Sequence, residues 1–442
     1  MINITATRRI LRPMVGGVLL AALAMPAGAL DLKTSDGAWT FSLDGNVNVD
    51  YIFSSCQSPS SAAAVTGGLT CVGSASGSNV SNVGNGLLPA AFTFGVATTQ
   101  EGIDISAHLG LYPGIATNDG GSPNLQAGTG NGSSNTALGT TGLDIRQVYM
   151  QFGNKDMGTF LLGRNIGLFG ADVILNDMTL PGVGAPGSAA GPAPSNTTLG
   201  GIGFGYIYTD WLGQIDYTTP DLSGFALTLG IFDPINSLSD SAPVEAKKAP
   251  GFHAKASYTA PLPEGTKLYV SVAFLTQQQD YGIAATTTTP ASSYSYTGNG
   301  VDVFAKLDVQ DFELIGYYYH ATGLGTTALF NLGAFGQGQT RGSDGYFGQA
   351  TYKFGPVKLG VNYGESKLDF ANGADQLANP TLLANNRKTT VGAYYSLTKN
   401  LTLLAEGSWV KSDAQSTCSA IVPAVSCSNS ATTVNVGAFF GF

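Results

Sequence analysis

Runs in which apolar and polar side chains alternate recur along this chain, and the segments between them switch strictly between very short and very long. Trp39, Phe41, Leu43, Val47, Val49 and Tyr51 alternate with Thr40, Ser42, Asp44, Asn46, Asn48 and Asp50. Val357, Leu359, Val361 and Tyr363 share one face against Lys358, Asn362 and Gly364. Side chains of a strand point to opposite faces with a period of two, so each run has one apolar and one polar side. We read sixteen such runs, from Trp39–Tyr51 to Thr433–Phe442, with turns of two to seven residues alternating with loops of roughly fifteen to forty. A soluble β-solenoid would show equal turns and a repeat in sequence, and no repeat is found.

Composition indicates which solvent the apolar faces meet. Only 11 % of the 442 residues are charged, against about 25 % in soluble domains, and mean hydropathy is +0.12. No apolar run approaches the roughly 20 residues that a spanning helix needs. Open sheet edges would leave N–H and C=O groups stranded in hydrocarbon, so the sheet must close. The expected fold class is all-β: a transmembrane antiparallel β-barrel of about 16 strands. Short turns would then lie on the periplasmic side with both termini, and long loops outside.

Arg8, Arg9 and Arg12 precede the short apolar stretch Met14–Met25, and Ala27-Gly28-Ala29 fits a small-residue cleavage site. Residues 1–29 read as a removable export signal and 30–442 as the barrel. Cleavage removes three arginines and no acid, which takes the formal charge from −9 to −12.

Export to an oxidising compartment permits disulfides. Cys56, Cys71, Cys418 and Cys427 allow three pairings. Cys56–Cys71 and Cys418–Cys427 are favoured, because each pair falls within one loop. The spacings are not C-x-x-C and no His lies nearby, which argues against zinc. Neither G-x-S-x-G nor H-E-x-x-H occurs, and no helical segment is in view to open a phosphate site. The chain is acidic with scattered basic residues, which does not suit nucleic acid. The reading is a non-enzyme with no metal and no cofactor. His108 and His253 fall by parity on the lumen side. Tyr112, Trp211, Tyr217, Tyr258, Phe354 and Tyr395 lie near strand ends and suit interfacial girdles.

One stretch carries the functional reading. Gly142–Gly153 and Gly158–Arg164 read as a hairpin around Asn154–Met157. The segment that follows, residues 165–202, is long, rich in Gly and Pro, and without period. A loop of that length in a compact domain is usually functional, and we expect it to fold inward and narrow the lumen.

The pattern R-x-x-Y-x-x-F-G…G-x-x-x-L-G-R, followed by a Gly-rich acidic loop, resembles the general porins of Gram-negative outer membranes. QIDYTTPDLSGFALTLG resembles the strand–turn–strand that follows their constriction loop, and the terminal Phe442 resembles their assembly signal. The resemblance implies a water-filled channel for passive diffusion of small hydrophilic solutes and ions. It implies a homotrimer in contact with outer-membrane lipid and lipopolysaccharide. Arg146 and Arg164 match the wall positions of the pore constriction, and Asp172 and Asp177 fall in the matching loop. If Arg146 points inward, regular alternation puts Gln147 and Gln151 on the outside. Amides there would be costly against lipid but acceptable against a second subunit. Two alternatives remain open: a porin specialised for one solute, and a surface adhesin or receptor built on a barrel.

Overall fold

The computed structural model describes residues 30–56, 65–70, 79–115, 143–187, 197–236, 248–283, 292–415 and 428–442. The export signal expected at 1–29 lies outside them, as do Cys71, Cys418 and Cys427. The wall strands are β1 (Trp39–Cys56), β2 (Ala91–Gln100), β3 (Ile103–Pro113), β4 (Leu143–Asn154), β5 (Gly158–Ile166) and β6 (Trp211–Thr218). They continue as β7 (Phe225–Phe232), β8 (Gly251–Ala260), β9 (Thr266–Ile283), β10 (Ser292–Val309) and β11 (Phe312–Thr322). The last are β12 (Gly342–Phe354), β13 (Val357–Leu368), β14 (Leu383–Ser396), β15 (Leu401–Ala414) and β16 (Ser428–Gly441).

Each strand pairs antiparallel with its sequence neighbours, and β16 closes the ring on β1 over Asn46↔Gly441 to Cys56↔Ala431. The result is the closed 16-stranded antiparallel barrel expected from the sequence. A short strand, Leu30–Lys33, pairs with the lower part of β1 and continues the line of β16. Phe442 seals that seam: its N–H donates to the Gly45 carbonyl at 3.0 Å and its own carbonyl accepts from Gly45 at 2.9 Å.

The alternation works as hydrocarbon demands. Val47, Val49 and Tyr51 of β1, Val361 of β13 and Val434 and Val436 of β16 are exposed on the outside, while Asn46, Asn48, Asp50, Asn362 and Asn435 are buried within. A charge at mid-membrane would cost about 2–4 kcal/mol.

Two expectations are corrected. The register of β3 against β4 shifts between Gly110 and Leu111, which pair with Gln147 and Ile145. Arg146 is therefore the extra residue of a β-bulge, and parity reverses across it. Gln147 and Gln151 face the interior, each 5 % exposed. Gln147 accepts from the Tyr112 hydroxyl at 2.5 Å and donates to Asn165 at 3.0 Å. The amide argument for a subunit contact falls with this. Tyr112 and Trp211 are also not girdle residues: both are buried, with ring centroids 6.0 Å apart. Tyr258, Phe354 and Tyr395 are exposed near the periplasmic turns, where a girdle belongs.

The interior is not uniformly polar. Leu275, Phe304, Ile315, Tyr317, Tyr319 and Phe347 point inward from β9–β12 and are buried. They pack with Phe169, Val173, Ile174, Ile202, Tyr206 and Ile207 of the inward loop, and with Leu324, Leu329 and Phe330 after β11, as one apolar cluster. The barrel thus holds a second core, made of its own loops.

Candidate constriction site

The segment from β5 to β6 turns into the lumen. Gly170, at φ +74, makes the turn, and a short helix, α1 (Ala171–Asn176), follows. The positive φ is the reason a glycine stands there. Two groups hold this turn against the wall. Asp302 of β10 accepts from the Gly170 N–H at 2.6 Å. His253 of β8 accepts from the Leu168 N–H at 3.3 Å. That imidazole is buried and stacked on Phe232 at 3.9 Å.

Asp172 is the centre of the docking. It accepts from the Lys255 ammonium at 3.1 Å, the Ser271 hydroxyl at 2.6 Å and the Tyr269 hydroxyl at 3.0 Å. Burial pushes its pKa up, but the ammonium and the two hydroxyls outweigh burial and hold the carboxyl below its ordinary value. Lys306 donates to Asn176 at 3.2 Å, and Gln349 of β12 accepts from the Met178 N–H at 2.7 Å.

Asp177 is buried and accepts from the Tyr206 hydroxyl at 2.8 Å, Asn362 of β13 at 3.1 Å, and both donors of Thr179. Further on, Glu406 of β15 accepts from the N–H groups of Val183 and Gly184 at 2.8 and 2.9 Å. The loop returns to the β1–β2 connection, where Leu87 donates to Gly182 and Leu88 to Leu180. It therefore lies along the wall from β8 round to β15.

The arginines stand elsewhere. Arg146, 4 % exposed, donates through Nε to Asp144 at 3.0 Å and lies 5.2 Å over the Tyr112 ring. Its Nη2 is buried without a hydrogen-bond partner among the described residues. Arg164 is half-buried and pairs in register with Val148 and Gly213. Val148 on that row is exposed on the outside. The charges of both arginines bear on Asp210, at the end of the loop. Burial lifts that carboxyl to about 6, against the Trp211 N–H and the two guanidinium groups.

The structure thus brings Asp172 to Lys255 and Asp177 to Tyr206 and Asn362, not to the arginines. Arg146 meets Asp144, and the charges of both arginines reach Asp210. Lys255 and Asp210 were not singled out in sequence. The signal for Lys255 was its place on the polar row of β8; for Asp210 nothing beyond its position before Trp211 was available.

A family model described as Gram-negative porin matches residues 17–415. The chain belongs to the Gram-negative porins. Solved structures with the same architecture include the outer membrane channel DcaP of Acinetobacter baumannii, at 15 % identity and TM-score 0.61, covering 93 % of this chain and 99 % of that one. The anion-selective porin from Comamonas acidovorans shares 15 % identity at TM-score 0.56, covering 91 % and 100 %. OmpF of Salmonella typhi, in complex with daunomycin, shares 12 % at 0.52, covering 93 % and 100 %. At these identities the likeness shows the fold. No curated protein sequence matches at a significant level. This porin is an outer-membrane channel for passive diffusion of small solutes.

Proposed function

We propose that residues 165–202 narrow the pore from one side only, leaving the water path along the β1–β7 wall. The observation that carries this is the docking of the loop onto β8–β15 through Asp172–Lys255, Gly170–Asp302, Asp177–Asn362 and Glu406. Arg146 supplies the inward positive charge beside this path, Arg164 adds to it through its field on Asp210, and Asp172 and Asp177 are the acids of the loop. Such charged rings are how pores select. Asp44, Asp50, Asp104, Asp144 and Asp216 point inward from β1, β3, β4 and β6, against the one inward arginine, Arg146, among the described residues of those strands. Selectivity is therefore weak and leans towards cations at low salt, where screening reaches further.

The protein acts without a chemical step and after removal of residues 1–29. It assembles as a homotrimer, a reading that rests on the likeness to general porins. The apolar outer face of β1–β4, with Val47, Phe92, Leu109, Ile145 and Val148, suits a subunit contact. A second reading, a pore specialised for one solute, is favoured by the apolar cluster that fills the β9–β12 side of the lumen. Single-channel conductance tests both: permeation by chemically diverse small solutes supports general diffusion, and block by one solute alone supports the specialised pore.

A further inference from the structure

Three of the long extracellular connections fold in over the mouth of the barrel. The first is residues 65–70, between β1 and β2. Its Thr66 N–H donates to the Thr381 carbonyl at 2.8 Å, and the Thr66 carbonyl accepts from Leu383 at 3.0 Å. The Leu69 N–H donates to Asn386 of β14 and Ser412 of β15 at 3.2 and 3.1 Å, and both of these are buried on the inner face. The second is residues 323–341, between β11 and β12. Its Leu324, Leu329 and Phe330 are buried in the apolar cluster with Phe169 and Ile207 of the inward loop. The wall makes room for them with Gly298 of β10, where a Cβ would stand 2.6 Å from Phe330 and 2.7 Å from Leu324. The Thr327 carbonyl accepts from the Tyr208 N–H at 2.7 Å, so this segment reaches the end of the inward loop just before β6.

The third connection, residues 369–382 between β13 and β14, carries a short helix, α2 (Gly373–Ala378). Arg341, at the end of the second segment, grips Asp375 of α2 with two hydrogen bonds, from Nε and Nη2, each 2.7 Å. Its Nη1 donates to the Leu332 carbonyl at 3.1 Å. Asp375 accepts two further bonds, from the Ala371 N–H at 2.9 Å and the Asn379 amide at 2.7 Å. The two side chains are 4 % and 0 % exposed. A two-pronged grip fixes orientation as well as distance. A buried ion pair that loses one partner leaves the other charge uncompensated. Neither segment can therefore lift away without stranding a charge.

We propose that these segments form a second, outer size filter, and that the Arg341–Asp375 pair is the latch that holds it closed over the β6–β15 side of the mouth. Arg341 is a positioning residue: it sets the opening by holding residues 323–341 down. Among the described residues, the periplasmic mouth is bounded by short turns and carries no such cover. The pore is therefore sided, and a solute meets a narrower entrance from outside than from the periplasm. The proposal rests on the barrel being an open channel and not on which residues line the inner constriction.

The test is single-channel conductance of the full-length protein in planar bilayers, with graded polyethylene glycols added to one side at a time. A polymer that enters a vestibule lowers the conductance, and one that is excluded does not. In wild type the largest polymer that enters should be smaller from the extracellular side than from the periplasmic side. R341Q and D375N should raise the extracellular cut-off to the periplasmic one and leave the periplasmic cut-off where it was. R341K keeps the charge but not the two-pronged grip and should fall between. Heat resistance of each variant, measured alongside, shows which of them fold. Equal cut-offs on the two sides of wild type, or a wild-type extracellular cut-off in every variant that folds, overturns the proposal while conductance stays normal. Absence of aqueous conductance in wild type overturns it together with the channel reading.

Discussion

Asp172 of the inward loop lies 3.1 Å from the Lys255 ammonium of the barrel wall, and each side chain is less than one-fifth exposed. The pair joins the loop to β8 at the point where the loop's only helix among the described residues begins. Hydrogen bonds to a charged group typically contribute about 1.5–3 kcal/mol, so this carboxylate decides whether the loop stays on the wall. Asp172→Asn should loosen the loop, raising single-channel conductance and open-channel noise while the barrel still resists heat. Unchanged conductance would mean that the remaining anchors at Asp302, Asp177 and Glu406 suffice.

The same carboxyl predicts the effect of acid. Its folded pKa lies below the ordinary value, so its ionised form favours the docked loop. That contribution is fully present above about pH 4 and is lost as pH falls through the lowered value. Conductance should be steady from neutral pH to about 5 and become noisy only below about 4. A transition centred near neutrality would contradict this assignment.

Asp210 predicts a second, separate pH effect. Its folded pKa is raised to about 6, so ionisation disfavours the fold and its stabilising neutral form is lost as pH rises through that value. Below 6 the carboxyl is neutral and the charge of Arg146 and Arg164 is less compensated. The reversal potential should shift towards anions between pH 7 and 5, and Asp210→Asn should abolish the shift. A shift of equal size in the variant would assign it to another group.

Cys56, at the extracellular end of β1, is disulfide-bonded. Non-reducing peptide mapping should recover it joined to Cys71, and Cys418 to Cys427. Loops this short add about 2–3 kcal/mol at most, so reduction should lower heat resistance slightly and leave conductance intact. A Cys56–Cys427 peptide would refute the pairing.

Phe442 closes the seam through both backbone bonds to Gly45, with its ring 5.6 Å from Phe92. Deleting it should lower the yield of heat-modifiable barrel. Normal yield would show that the seam closes without it.

How much of this was legible beforehand depended on what each face touches. Where the outside meets lipid and the inside meets water, period two survives, and strands such as β1, β13 and β16 could be read directly. In β9–β12 the inward Leu275, Phe304, Tyr317 and Phe347 pack on the inward loops, so both faces are apolar in places and the period blurs. The bulge at Arg146 has no signature in residue type. It is set by the pairing of Gly110 with Gln147, a contact between strands that alternation along one strand does not reveal. That one residue reversed the facing of Gln147 and Gln151. The partners of the loop's acids were equally out of reach, because Lys255 is 83 positions from Asp172 in the chain.

The central claim is that the loop lies on the β8–β15 wall and that charge at the constriction governs what passes the other side. It is tested most directly by the reversal potential in a salt gradient across planar bilayers. Wild type should give open aqueous steps, leaning weakly to cations at low salt. Arg146→Ala with Arg164→Ala should shift the potential further towards cations, and Asp172→Asn with Asp177→Asn should shift it towards anions. If both double variants conduct and select as wild type does, these residues do not border the constriction and the pore is narrowed elsewhere.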